Sequence, residues 1–259
     1  MLGSVSVRVG MAGWSNPPAK RADRDRDQTH LSYYAAHFSC VEINSSFYRP
    51  HQRATYERWR DETPAAFRFS VKMPRSVTHE SHLRRCAAEV GRFYEAIAAL
   101  QPKLAVLLVQ LPPGLEFNGR AVRTFFVSLP RLGGTQVVCE PRHPSWFTNA
   151  AQVAMQEAGV SRVAADPARC PGAELPGGAP AFAYFRWHGT PHVYYSKYSD
   201  EQLAVFAAMI RRSKAVDIWC VFDNTARHAA WDDALQFKEA LRSRPAAAAL
   251  RAQSVEVGR

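Results

Sequence analysis

Eight short apolar runs, each followed by a stretch with helical spacing or by a loop, constrain this chain more than any single motif does. The runs are SVRVGMAG (6–13), CVEIN (40–44), FRFSVK (67–72), LAVLLVQL (104–111), QVVCEPR (136–142), SRVAAD (161–166), FAYFRWHG (182–189) and DIWCVFDN (217–224). Between them, Leu31, Tyr34, Ala35 and Phe38, then Val90, Phe93, Tyr94 and Ile97, then Leu203, Phe206, Ala207 and Ile210 fall at i, i+3, i+4, i+7. That spacing lays an apolar stripe along one side of a helix. Trp231, Ala234, Phe237 and Leu241 mark a last helix. Strand–helix alternation repeated about eight times, in a length near the roughly 250 residues of a (β/α)8 barrel, predicts an α/β fold with a single TIM-type barrel. We assign residues 1–245 to that domain and 246–259 to an Ala/Arg-rich tail. The sixth unit continues as PARCPGAELPGGAP (167–180), so its helix is expected to be reduced to a loop. An open doubly wound sheet is the alternative, but it would normally carry a Gly-rich βα turn, and neither GxGxxG nor GxxxxGK[ST] occurs.

Composition narrows the classes further. The five cysteines, at 40, 86, 139, 170 and 220, form no CxxC pair, and three lie inside apolar runs. Buried, reduced cysteines in a cytoplasmic protein are expected. No apolar segment approaches the roughly 20 residues of a membrane span. The net charge of +10 raises the question of nucleic acid, yet the basic residues are scattered over helix ends and loops, so nucleic acid is not the favoured partner.

Side chains alternate across a strand, so residues two apart share a face. Arg68, Ser70 and Lys72 share one, as do Tyr184, Arg186 and His188, Glu42 and Asn44, and Glu140 and Arg142. Glu42, Lys72, Gln110, Glu140, Asp166, His188 and Asp223 all stand near the C-terminal ends of their runs, where barrel enzymes build their active sites. A buried layer of mutually paired charges is the competing, purely structural reading.

GWS (13–15), YYAAHF with VEINSSFYRP (33–50), TPAAFRFSVKMPRSVTH (63–79), VQLPPG (109–114), EPRHPSWF (140–147), YFRWHG (184–189) and VFDN (221–224) together resemble the domain of unknown function 72 family, the YecE-like proteins. The resemblance spans nearly the whole chain and implies a TIM barrel but no reaction. Two stretches depart from the pattern. NPPAKRADRDRDQTH follows GWS where the family usually has a tryptophan and an FYP-like segment, and Asp223–Asn224 stand where an asparagine pair is usual.

Three chemistries compete for the mouth. Glu140, Asp166, His188 and Asp223 offer a ligand set for Mn, Mg, Fe or Zn, as in metal-dependent sugar isomerases and epimerases or phosphodiesterase-like barrels. Metal-free acid–base catalysis would use Glu42, Lys72, Glu140 and His188, with Lys72 also able to form a Schiff base. In both, Trp14, Asn44, Tyr48, His79, Gln110, Arg142, Arg186 and Asn224 would bind a small anionic substrate, a sugar phosphate or nucleotide-like molecule. The third is a non-catalytic nucleic-acid or nucleotide binder using Trp14, Phe47, Tyr48 and Trp146 as stacking platforms.

Overall fold

The computed structural model describes residues 5–243 except 22, 24, 26 and 131; the tail expected over 246–259 lies outside the described residues. Ten strands form one sheet: β1 (Ser6–Ala12), β2 (Cys40–Ile43), β3 (Arg68–Lys72), β4 (Leu104–Gln110), β5 (Gln136–Glu140), β6 (Val160–Arg162), β7 (Ala164–Asp166), β8 (Gly177–Gly178), β9 (Phe182–Trp187) and β10 (Asp217–Phe222). Their order is β7-β9-β10-β1-β2-β3-β4-β5-β6-β8. All pairings are parallel except β6 with the two-residue β8. β6 and β7 are one stave that changes partner: β6 pairs with β5, β7 pairs with β9, and only Val163 separates them. The Val163 amide still donates to the Cys139 carbonyl at 2.8 Å. The chain thereby carries the sheet from one edge to the other, and the barrel nearly closes.

After a single turn, α1 (Pro18–Arg21), the outer helices are α2 (His30–His37), α3 (Arg53–Asp61), α4 (Ala87–Ile97), α5 (Gly119–Ser128), α6 (Asn149–Glu157), α7 (Asp200–Arg212) and α8 (Ala229–Arg242). No helix lies between β7 and β9, as the Pro/Gly-rich sixth unit predicts. Caps fix several starts: Thr29 accepts from the Ser32 amide and Asn118 from that of Ala121, while Ser199 and Gln202 form a reciprocal capping box. Among the described residues no helix is long and apolar enough to cross a membrane, and all five cysteines are free and buried.

The period-2 alternation sorts each strand into two faces. Val41, Ile43, Phe69, Val71, Phe185 and Trp187 pack outward against the helices. Cys40, Val106, Leu108, Val138, Phe182, Tyr184, Trp219 and Val221 form a separate inner cluster. Gly10 permits a close approach between β1 and β2, because a Cβ there would stand 2.2 Å from the Cys40 carbonyl oxygen. Following the inward positions toward the C-terminal ends, Phe182 gives way to Tyr184 and then Arg186, and Trp219 to Val221 and then Asp223. The barrel is apolar at its base and charged at its mouth.

Candidate functional site at the barrel mouth

Arg186, at 1% exposure, is the centre of the mouth. Its Nε and Nη2 donate to the two oxygens of Glu42 at 3.0 and 2.8 Å, Nη2 also to Asp223 Oδ2 at 2.9 Å, and Nη1 to Glu140 Oε2 at 2.5 Å. Four strands thus place one guanidinium among three carboxylates. Tyr184 stands one layer deeper, its hydroxyl donating to Glu42 at 2.8 Å and lying 3.0 Å from the Ser70 hydroxyl. Arg142 covers Glu140 from outside through Nε and Nη2, at 3.2 and 3.0 Å from Oε1. One guanidinium cannot balance three carboxylates; Arg142 brings a second permanent charge to Glu140, and His188 lies against Glu140 and Asp223.

His188 shares its Nδ1 with Asp223 Oδ2 at 2.9 Å, while its buried Nε2 has no hydrogen-bond partner and lies 3.6 Å from Glu140 Oε1. Burial works against charge on the imidazole, but the Asp223 hydrogen bond and Glu140 raise its pKa above the usual histidine value. Burial likewise pushes the Glu140 and Asp223 carboxyls up, and Arg186 outweighs it. Arg142 helps to hold Glu140 well below the carboxylate range, and His188 helps to lower Asp223.

Lys72 is different in kind. Its ammonium makes no ion pair or hydrogen bond among the described residues and rests over the Phe47 ring, 4.2 Å from the centroid. Burial first, and then the Arg186 charge, bring its pKa down to about 8 against the pull of Glu42, Glu140 and Asp223. His79 packs edge-on against the same Phe47 ring at 5.0 Å and shares Nδ1 with the Thr78 hydroxyl at 2.9 Å. Burial, followed by Lys72 and Arg142, lowers its pKa to about 4, so it is neutral at physiological pH.

The residues singled out in the sequence divide into three groups. Glu42, Lys72, Glu140, Arg142, Arg186, His188 and Asp223 come together, with His79 at the rim and Gln110 buried in register beside Glu140. Asp166 and Asn224 instead fasten the loop after β9. Asp166 Oδ2 accepts from the Thr190 and Tyr198 hydroxyls at 2.7 and 2.8 Å, and Asn224 Nδ2 donates to the Ser196 carbonyl at 2.8 Å and to Asp233 at 2.7 Å. Tyr48 is 78% exposed on the outer rim, while Trp14 and Asn44 line a separate hollow. Tyr184 and Ser70 were not among the candidate site residues, although alternation already put each on the inward face.

The four-ligand metal cage does not assemble. Asp166 is turned to the loop, and Glu140 and Asp223 are already engaged by a permanent guanidinium charge that would repel a cation. Among the described residues no group of three or more His, Cys, Asp or Glu side chains is arranged to hold a metal ion. The stacking-platform reading loses two members, because Trp146 is buried with its indole N–H on the Leu115 carbonyl, and Phe47 is buried beneath Lys72.

A hollow of about 450 Å³ opens where β1 and β2 end, lined by Gly13, Trp14, Ser15, His30, Asn44 and Ser45. Gly13 holds a φ of +88°, in the left-handed region, and its amide donates to the Glu42 carbonyl at 2.8 Å. The turn sets Trp14 edge-on against Trp59, with centroids 4.9 Å apart.

Residues 8–256 match the family model described as protein of unknown function DUF72. The UPF0759 protein YecE of Escherichia coli K12 is 32% identical over 168 residues, an alignment that spans 62% of this chain and 59% of that protein. Among solved structures, a DUF72 family protein from Thermotoga maritima MSB8 superposes with a TM-score of 0.75 at 26% identity, covering 92% of this chain and all of that one. Another, from Enterococcus faecalis V583, gives 0.73 at 20% identity, covering 93% and 97%.

Proposed function

This chain belongs to the DUF72 family of proteins of unknown function, and from that premise we propose that its barrel mouth binds a small polar anionic substrate and performs metal-free acid–base chemistry on it. The observation that carries the reading is Lys72, an amine at the mouth with no ion pair or hydrogen bond among the described residues and a pKa brought to about 8. An amine poised there is a cation for a phosphate or carboxylate when protonated and a base or nucleophile when not. Arg142 adds a second cation at the same rim, and neutral His79 can donate or accept one hydrogen bond.

The roles of the carboxylates follow from their partners. Both oxygens of Glu42 are taken by Arg186 and Tyr184, and those of Glu140 by Arg186 and Arg142. They are positioning residues that fix the guanidinium, which in turn weakens the proton affinity of Lys72. An isomerase or lyase acting on a sugar phosphate or nucleotide-like molecule fits this equipment. Calorimetric titration with inorganic phosphate tests the binding half. Lys72→Met should weaken affinity about tenfold, the worth of one charge-assisted contact. Wild-type affinity should fall as pH rises through about 8 and the ammonium is lost. Equal affinities for the two proteins, or no pH dependence between 7 and 9, would sink the reading.

The alternative of a non-catalytic nucleic-acid binder draws on the net charge of +10 and on exposed Tyr194 and Tyr195, the latter with Arg227 5.8 Å from its ring centroid. It differs in requiring affinity that collapses steeply with salt.

A further inference from the structure

We infer that the hollow between the ends of β1 and β2 is a ring subsite, so that the full ligand has two parts: an anionic group at Lys72 and a neutral ring against Trp14 and Asn44. The inference rests on the anion site just proposed and adds a recognition element that the charged cluster cannot provide.

Continuity comes from the register. β2 and β3 pair through Glu42–Ser70 and Ile43–Val71, Asn44 follows the last residue of β2, and Lys72 is the last residue of β3. A ligand whose charge meets the ammonium therefore lies at the same end of the barrel as Asn44, on the wall of the hollow. The Asn44 side-chain carbonyl is buried without a hydrogen-bond partner, and a buried amide oxygen is normally satisfied. A hydroxyl or ring N–H from a ligand would satisfy it.

The described lining is uncharged and has one flat wall. Among the described lining residues no Asp, Glu, Lys or Arg appears, in contrast to the crowded charges at the mouth. The Trp14 indole, braced by Trp59, supplies a flat apolar wall, on which the face of a sugar or heterocycle stacks. Ser15 and His30 stand at the open side. A volume of about 450 Å³ admits one such ring with room for water.

The test is calorimetric titration of inorganic phosphate, ribose 5-phosphate, glucose 6-phosphate and adenosine monophosphate against wild type, Trp14→Ala, Asn44→Leu and Lys72→Met. At least one ring-bearing phosphate should bind about tenfold or more tightly than phosphate alone, and both Trp14→Ala and Asn44→Leu should erase that gain. The sugar phosphates and the nucleotide distinguish a sugar ring from a base as occupant. Ring-bearing ligands that bind no better than phosphate, or a gain that survives both substitutions, would overturn the inference. Should Trp14→Ala fail to fold, Asn44→Leu carries the same comparison. Lys72→Met separates the two claims: if it leaves phosphate binding intact while the ring gain still depends on Asn44, the anion site fails and the ring subsite stands.

Discussion

Arg186 and Lys72 are two cations in one pocket with opposite fates, and the difference decides what each substitution should do. Arg186 donates to Glu42, Glu140 and Asp223, so Arg186→Leu strands three buried carboxylates. Breaking such a network is expected to cost about 3–5 kcal/mol in urea unfolding. Lys72 has no such partner and keeps its charge against burial, so Lys72→Met should raise stability at pH 7 by on the order of 3 kcal/mol, the equivalent of a pKa brought from 10.5 to about 8. A thermal melt that moves down instead would show that the amine is held by its neighbours. His188 has a pKa raised above its ordinary 6.5. Its contribution is therefore complete below pH 6.5 and lost as pH rises through the folded value. Urea unfolding of wild type should show stability falling as pH rises above 6.5, and His188→Gln should flatten that slope. The inward set was legible because alternation puts Glu42, Arg186 and Glu140 on one face wherever the strands fall. Which cation would be paired was not, since that depends on which strands stand opposite across the barrel.

At the level of elements, the sequence showed where the staves lie and hid what joins them. The apolar runs coincide with the long strands and the four helical stripes with α2, α4, α7 and α8, while α3, α5 and α6 lie outside those stripes; the Pro/Gly-rich stretch after β7 is the loop expected. Asp166 misled because a carboxylate at a strand end reads the same whether it faces the pocket or the loop; its Tyr198 partner is 32 residues away. Asn224 misled likewise, being committed to Ser196 and Asp233. Together these contacts tie the β9 loop to α8, so Asp233→Ala should leave the Tyr198 amide and Asn224 short of an acceptor. A loss of about 1–3 kcal/mol is expected, with faster hydrogen exchange confined to residues 189–198; exchange that is unchanged there would refute the latch. Gly10 presents the opposite problem, too little room. Gly10→Ala would press a methyl against the Cys40 backbone, and overpacking of this kind should cost roughly 1–3 kcal/mol or more.

Taken whole, the molecule carries its charge in two compartments. Exposed ion pairs such as Arg53–Glu57 and Arg242–Glu239 lie where salt screens them, whereas the mouth network is buried and screened little. Glu140 and Asp223 have lowered pKa values, so their contribution is intact above about pH 4.5 and lost as acid carries the solution down through their folded values. The barrel itself is not a closed hoop of hydrogen bonds. β6 holds only to β5 on the barrel side and β7 only to β9, so the ring is completed by the covalent chain through Val163. In mechanical terms the cylinder is a rolled sheet with a seam, and the seam runs beside the one stave with no helix clamped behind it. Along that seam the stave is stitched to each neighbour by three register pairs, Val160–Arg162 to β5 and Ala164–Asp166 to β9.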